Sequence, residues 1–353
     1  MKLDSVHFYV ADAYKTSSWF IRLLGFQAID YCQQNDAISI AIANSSILII
    51  ISSPLNNYGK VARYLTAHTE GIVDVTFRVS QLQLIVDKAR RNKIHLLQPI
   101  QNSTGFKYAC VAGWDCLQHT LIESSLPCSC YLLPNGKIRK LKTNRCSLKN
   151  AFEFTEVDHI VLNVARGQLT KAVKYYQTLF DFQIKQTFKI KTNRSGLYSR
   201  ALCDREGKIQ FNINEPSTAN SQIQKFIDLN RGAGIQHLAL RSNNLIKDVS
   251  KMRSLGVSFL SIPSFYYSQL KQKIEQDYIA FSQVELHSVI KQQILVDWHQ
   301  KKSNSLLMQI FTQPILQKPT FFLEFIERRQ QAVGFGEGNF HALFAAVEQH
   351  QLG

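Results

Sequence analysis

The sequence predicts an α+β protein of two related halves, each a curled sheet with its helices outside, and three observations lead there. The chain has 353 residues, of which 45% are hydrophobic and 19% charged. That is an ordinary globular composition, long enough for roughly two domains of about 150 residues. Short apolar or alternating runs of strand length are interrupted by single amphipathic helices. The order of these elements also repeats along the chain, which is the most informative of the three.

In chain order, VHFYVADAYKTSSWFIRLLGFQAID at 6–30 matches DHIVLNVARGQLTKAVKYYQTLFDFQIKQ at 158–186: an apolar strand, a helix rich in Tyr, Trp and Phe, then L-x-[GD]-F-Q. GIVDVTFRVSQLQLIVDKARRNKIHLL at 71–97 matches GIQHLALRSNNLIKDVSKMRSLGVSFL at 234–260. Each half therefore carries two strand-helix-strands units. Between them, SSLPCSCYLLPNGKIRKLKTNRCSLKN at 124–150 replaces apolar periodicity with Pro, Ser, Asn and basic residues. The expected divisions are a first domain at 1–125, a linker at 126–151 and a second domain at 152–353.

Bulk properties narrow the functional classes. The 41 Lys and Arg against 26 Asp and Glu give a net charge of +15, which attracts small anions. Apart from KIRKLKTNR at 137–145, however, the basic residues are dispersed, and no stacking motif or zinc-finger spacing accompanies them, so no nucleic-acid partner is expected. The seven cysteines lack CxxC pairs, which fits reduced thiols in a reducing compartment; nothing nearby completes a metal site around Cys128 and Cys130. The N-terminus does not read as a signal peptide and ILIIISSPL at 47–55 is too short to span a bilayer, so a cytoplasmic protein without membrane contact is expected.

TFFLEFIER at 320–328 reads as a buried strand, and it contains Glu324. A carboxylate there is costly unless paired or bound to a metal. His159 in VDHIVLNV and His237 in IQHLAL start the two units of the second half. Two imidazoles and a carboxylate facing one cavity form a facial triad with three open positions, an arrangement typical of non-haem Fe(II) oxygenases. For each histidine alone, a hydrogen-bonded core residue is the competing reading. Gln210, Asn212 and Asn214 share one strand face and Gln309 shares another with Phe311, which suits a wet interior. Aligning the halves sets His7 beside His159, Asp74 beside His237 and Thr120 beside Glu324, so a metal is expected only in the second half.

With these residues in hand, the second half resembles the 4-hydroxyphenylpyruvate dioxygenase family of the vicinal oxygen chelate superfamily, most closely its cyanobacterial branch. The likeness runs in register through VDHIVLNV, GLYSRAL, NINEP, SQIQKFIDLNRGAGIQHLAL, the YY of FYYSQL, ILVD, LLMQIFTQP, FFLEFIERR and GFGEGNFHALF. It implies paired βαβββ modules, each an open β-barrel, and Fe(II) held by His159, His237 and Glu324. Ser199, Asn214, Gln222, Gln236 and Gln309 match polar residues that orient the substrate. Phe311, Phe322, Phe335, Asn339 and Phe340 match residues that wall the pocket. GFGEGNFHALFAAVEQH, with Phe340, Leu343, Phe344 and Val347 at helical spacing, is expected to form a C-terminal lid helix. Asn212 stands where many family members have proline.

The implied reaction converts 4-hydroxyphenylpyruvate and O2 to homogentisate and CO2, in tyrosine breakdown or toward tocopherols and related quinones. A dimer or tetramer is expected by the same resemblance. Two alternatives stay open: a 4-hydroxymandelate synthase, with the same fold, ligands and substrate, and a non-catalytic small-molecule binding module.

Overall fold

The computed structural model describes residues 1–126, 130–140, 152, 154–191, 195–298, 305–340 and 342–343. Cys128, Cys146, the end of the basic stretch 137–145 and most of the expected lid helix lie outside the described residues.

In the first half the elements run β1 (Lys2–Tyr9), α1 (Ala13–Leu24), β2 (Gln27–Gln33), β3 (Ala37–Asn44), β4 (Ile47–Pro54), α2 (Lys60–Ala67), β5 (Gly71–Arg78), α3 (Leu82–Arg91), β6 (Leu96–Ser103), β7 (Phe106–Ala112) and β8 (Gln118–Ser124). A short hairpin, β9 (Cys130–Leu132) and β10 (Ile138–Lys140), follows. The second half runs β11 (Phe154–Asn163), α4 (Leu169–Phe180), β12 (Gln183–Lys191), β13 (Gly196–Cys203), β14 (Gln210–Pro216), α5 (Gln222–Asn230), β15 (Gly234–Ser242), α6 (Leu245–Ser254), α7 (Ser264–Gln276), α8 (Gln283–Gln292), β16 (Leu295–Trp298), β17 (Leu306–Phe311) and β18 (Phe322–Arg328).

Each half forms one eight-stranded mixed sheet, and the spatial orders β2-β3-β4-β1-β5-β8-β7-β6 and β12-β13-β14-β11-β15-β18-β17-β16 are the same topology used twice. Phe188 on β12 and Gln309 on β17, from near opposite edges of the second sheet, line one cavity, so that sheet curls around its interior. The repeat reaches the caps: α1 ends on Gly25 and α4 on Asp181, both left-handed, at the [GD] position of the matched sequences. Asp is among the few residues with a Cβ that tolerate this conformation.

Strand register fixes which residues of the two halves correspond. Tyr9 pairs with Gly71 and Asn163 with Gly234; two residues back on β1 and β11 and three residues on along β5 and β15, across the same register shift in each half, His7 pairs with Asp74 and Val161 with His237. The counterpart of His7 is therefore Val161. Ser5, opposite Thr76, takes the place of His159, opposite Ala239. This corrects the expected His7–His159 match by two residues. The pairing of Asp74 with Gln118 and of His237 with Phe322 does align Thr120 with Glu324, so the first half retains none of the three ligand types.

The halves share a continuous apolar core. The Phe8 ring meets Phe321 edge-on at 5.1 Å, bracing β18 next to Glu324, and Phe77 contacts Phe180 at 5.4 Å. Fully buried His119 lies 3.1 Å from both the Val75 carbonyl and the Tyr176 hydroxyl; burial pulls its imidazole down to about 4, so it bridges the halves as a neutral group. Among the described residues no helix is long and apolar enough to cross a membrane.

Candidate metal centre and its cavity

Three central strands of the second sheet build the site. His159 on β11 pairs with Ala239 on β15, which pairs in turn with Glu324 on β18. One line across the sheet thus carries ligand, alanine, ligand. Pleat alternation puts His237, two residues before Ala239, on the same face, and a methyl at the middle position leaves space between the three side chains. His159 Nε2 is 3.1 Å and His237 Nε2 3.6 Å from Glu324 Oε2. All three donor atoms fall within 4.8 Å of one another.

The carboxylate is 2% exposed, and its other oxygen, Oε1, is buried with no hydrogen-bond partner. Such an atom is expensive unless something binds it. A divalent cation held by two imidazoles and this carboxylate would satisfy it, so the residues present fit the expected iron. Burial pulls His159 down, but the charge of Glu324 and the hydrogen bond that His159 donates to Asp158 outweigh it and push the imidazole up to about 9. His237 is driven well below its ordinary value, by burial first and then by charged His159. A cation at the triad takes the place of the proton on His159.

Each imidazole is oriented from behind. His237 Nδ1 donates to Gln236 Oε1 at 3.3 Å, and His159 Nδ1 to Asp158 Oδ1 at 3.0 Å. Burial alone would raise the Asp158 carboxyl; hydrogen bonds from Arg328 and His159 instead hold it well below the usual carboxylate range. The Arg328 guanidinium grips both carboxylate oxygens, Nε to Oδ2 at 2.7 Å and Nη2 to Oδ1 at 2.6 Å. Neither Asp158 nor Arg328 was singled out from sequence, although both lie inside quoted motifs; a partner demanded by the second nitrogen of His159 was the signal available.

The triad opens into a cavity lined by Ser199, Asn212, Asn214, Gln222, Gln236, Gln309, Phe311, Phe322, Phe335 and Phe340, among others. Every expected site residue except Asn339 reaches it. Asn339 is buried behind the wall, where its Nδ2 donates to Gln309 Oε1 at 3.3 Å and its Oδ1 accepts from Tyr266 at 2.7 Å. It positions the glutamine and is not itself a wall residue. Gln210, on the same strand face as Asn212, lies beyond the cavity in the groove between the halves. Phe322 stacks on His237 at 4.7 Å, and Phe335 meets His159 edge-on at 5.3 Å.

The free volume of the cavity is about 80 Å³, against roughly 300 Å³ or more for small-molecule pockets in general. Phe335, Phe340 and Leu343, from the segment that follows β18, close one side of this space. Gly336 is the tight point of that segment: its φ is 73°, and a Cβ there would sit 1.7 Å from Gln309 Oε1. Both the left-handed backbone and the close approach require glycine.

Comparison with known proteins agrees with this architecture. A profile of the Glyoxalase/Bleomycin resistance protein/Dioxygenase superfamily matches residues 156–277. An uncharacterized protein of Synechocystis is 33% identical over 99% of this chain and 97% of its own. The 4-hydroxyphenylpyruvate dioxygenases of Xenopus tropicalis and Dictyostelium discoideum are 32% and 30% identical, covering 98% and 99% of this chain and 90% and 97% of theirs. A mutant of 4-hydroxymandelate synthase from Streptomyces coelicolor superposes with a TM-score of 0.85 over 99% of this chain and 98% of its own; at 23% identity it speaks for the fold alone. The chain belongs to the 4-hydroxyphenylpyruvate dioxygenase family of the vicinal oxygen chelate superfamily.

Proposed function

We propose that the chain is an Fe(II)-dependent dioxygenase that converts 4-hydroxyphenylpyruvate and O2 to homogentisate and CO2. The observation that carries this reading is the buried His159–His237–Glu324 triad, with an unpartnered carboxylate oxygen, in a cavity whose wall combines phenylalanine and aliphatic side chains with several amides and one serine. A three-ligand site leaves positions for a chelating 2-oxo acid and for O2. Fe(II), when bound there, would supply the Lewis acid, the template and the redox centre.

The chain's own residues do the rest. Asp158 and Gln236 fix the two imidazoles so that each Nε2 faces the metal position. Asn339 holds Gln309 Oε1, which leaves the Gln309 amide hydrogens to donate into the cavity, whereas Gln222 Oε1 is buried without a partner and is ready to accept a phenol hydrogen. Ser199 and Asn214 add polar contacts on the β13–β14 wall. Phe311, Phe322, Phe335 and Phe340 flank the substrate ring and keep water from the reacting carbon.

The test is oxygen uptake by the purified protein, supplied with Fe(II), ascorbate and 4-hydroxyphenylpyruvate but no other oxo acid, with the products separated by chromatography. Homogentisate is the expected product. 4-Hydroxymandelate would move the hydroxylation to the side chain and make the protein a synthase of the alternative kind. Folded, iron-loaded protein that takes up no oxygen would contradict both.

A further inference from the structure

We propose that Arg328, acting through Asp158, couples occupancy of the metal site to the seating of the turn at 332–340. The proposal rests on the metal assignment above and concerns two residues that touch neither metal nor substrate.

Asp158 and His159 are consecutive on β11, and in a regular strand they would point to opposite faces. Register breaks at this point: Val157 pairs with Leu240 and His159 with Ala239, so β11 carries one extra residue. A bulge of this kind re-aims side chains. Here it lets the Asp158 carboxylate reach the His159 ring nitrogen that faces away from the metal position.

Arg328, at the end of the strand bearing Glu324, has a side chain only 5% exposed, and all three of its nitrogens are engaged. Two of its nitrogens hold Asp158, and the third, Nη1, donates to the carbonyls of Ala332 at 3.2 Å and Gly334 at 2.9 Å. One rigid planar group therefore sets both the carboxylate behind His159 and the backbone that leads into Phe335. The Phe335 ring returns to the His159 ring, and Gly336 and Asn339 meet Gln309. The loop of contacts runs from metal ligand to carboxylate to guanidinium to turn and back to the ligand.

If metal binding fixes His159, it fixes Asp158 and Arg328 and stabilises the seated turn. Coupling is reciprocal, so a seated turn raises metal affinity by the same factor. The first half provides an internal control, because Asp4 also sits in a bulge and is gripped by Arg78 at 2.6 Å, yet the residue that follows it is Ser5 where Asp158 is followed by His159. A purely structural role for the bulge aspartate would make the two halves respond alike.

The experiment measures Fe(II) affinity by chelator competition, and hydrogen exchange of the 332–340 amides with and without Fe(II), in full-length wild type, Arg328→Gln, Asp158→Asn and Asp4→Asn. In the wild type, Fe(II) is expected to slow exchange at 332–340. Arg328→Gln and Asp158→Asn are expected to weaken Fe(II) binding about 10–100-fold and to remove that metal-dependent slowing, while Asp4→Asn changes neither. Asp158→Asn is close to isosteric and carries the test if Arg328→Gln does not fold. Wild-type affinity in both variants, or exchange at 332–340 that ignores metal in the wild type, would overturn the coupling. Wild type that binds no Fe(II) would overturn the metal assignment, and the coupling with it, before any variant is compared.

Discussion

The two halves use one topology and one register to opposite ends, and the difference lies in what occupies four corresponding positions. In the second half these are His159, His237, Ala239 and Glu324; in the first they are Ser5, Asp74, Thr76 and Thr120. Three of the first-half set satisfy one another: Thr120 donates to Asp74 through Oγ1 at 2.6 Å and through its backbone N–H at 3.2 Å, and Thr76 Oγ1 donates to Asp74 at 3.1 Å. Nearby, His7, Ser39 and Ser52 form their own short chain, and burial pulls His7 down to about 4. The second-half set leaves a carboxylate oxygen unpartnered and an alanine where its counterpart has a hydroxyl. A sheet becomes a metal site, on this comparison, by withholding internal hydrogen bonds as much as by supplying ligands.

The comparison breaks most severely at the ligands. Glu324→Gln or His237→Ala is expected to abolish Fe(II) binding and turnover while circular dichroism and the melting transition persist; near-normal activity in either variant would sink the assignment.

Acidity comes next. Because the metal displaces the proton that His159 holds up to about pH 9, apparent Fe(II) affinity should rise about tenfold for each pH unit up to that value and then level off. Affinity that stays flat from pH 6 to 9 would show that no such proton is displaced.

Copying the first half into the second sharpens the role of space. Ala239→Thr places the Thr76 side chain between two ligands in a fully buried position, and overpacking of this kind costs about 1–3 kcal/mol. We expect the loss to appear in Fe(II) affinity measured by titration, with chain stability reduced less.

The smallest effect is the converse substitution. Thr120→Val strips Asp74 of its shortest partner, so denaturant unfolding should show a loss of about 1–3 kcal/mol, while iron stoichiometry and oxygen uptake stay at wild-type levels.

Much of this was legible in the sequence, for physical reasons that also mark where legibility ended. Glu324 stood out because a carboxylate in an apolar strand has to be compensated, and the amides of β14 and β17 because alternation exposes a polar face. The slip of His7 against His159 escaped notice because a shift of two residues leaves every side chain on the same face; only hydrogen-bonded register distinguishes the alternatives. Ala239 carries no chemical signal and matters through its neighbours across two strands. Asp158 and Arg328 are 170 residues apart, and no spacing rule connects them. Asn339 falls among the wall residues by motif because motif matching cannot tell a group that touches ligand from one that holds the group that does.

On this comparison one metal binds, and it binds in the second half. A crystal soaked anaerobically with Fe(II) and measured at the iron absorption edge tests it most directly. A single strong anomalous peak per chain is expected between His159 Nε2, His237 Nε2 and the Glu324 carboxylate, with none among Ser5, Asp74 and Thr120. A peak in the first-half cavity, or none at the triad, would contradict it.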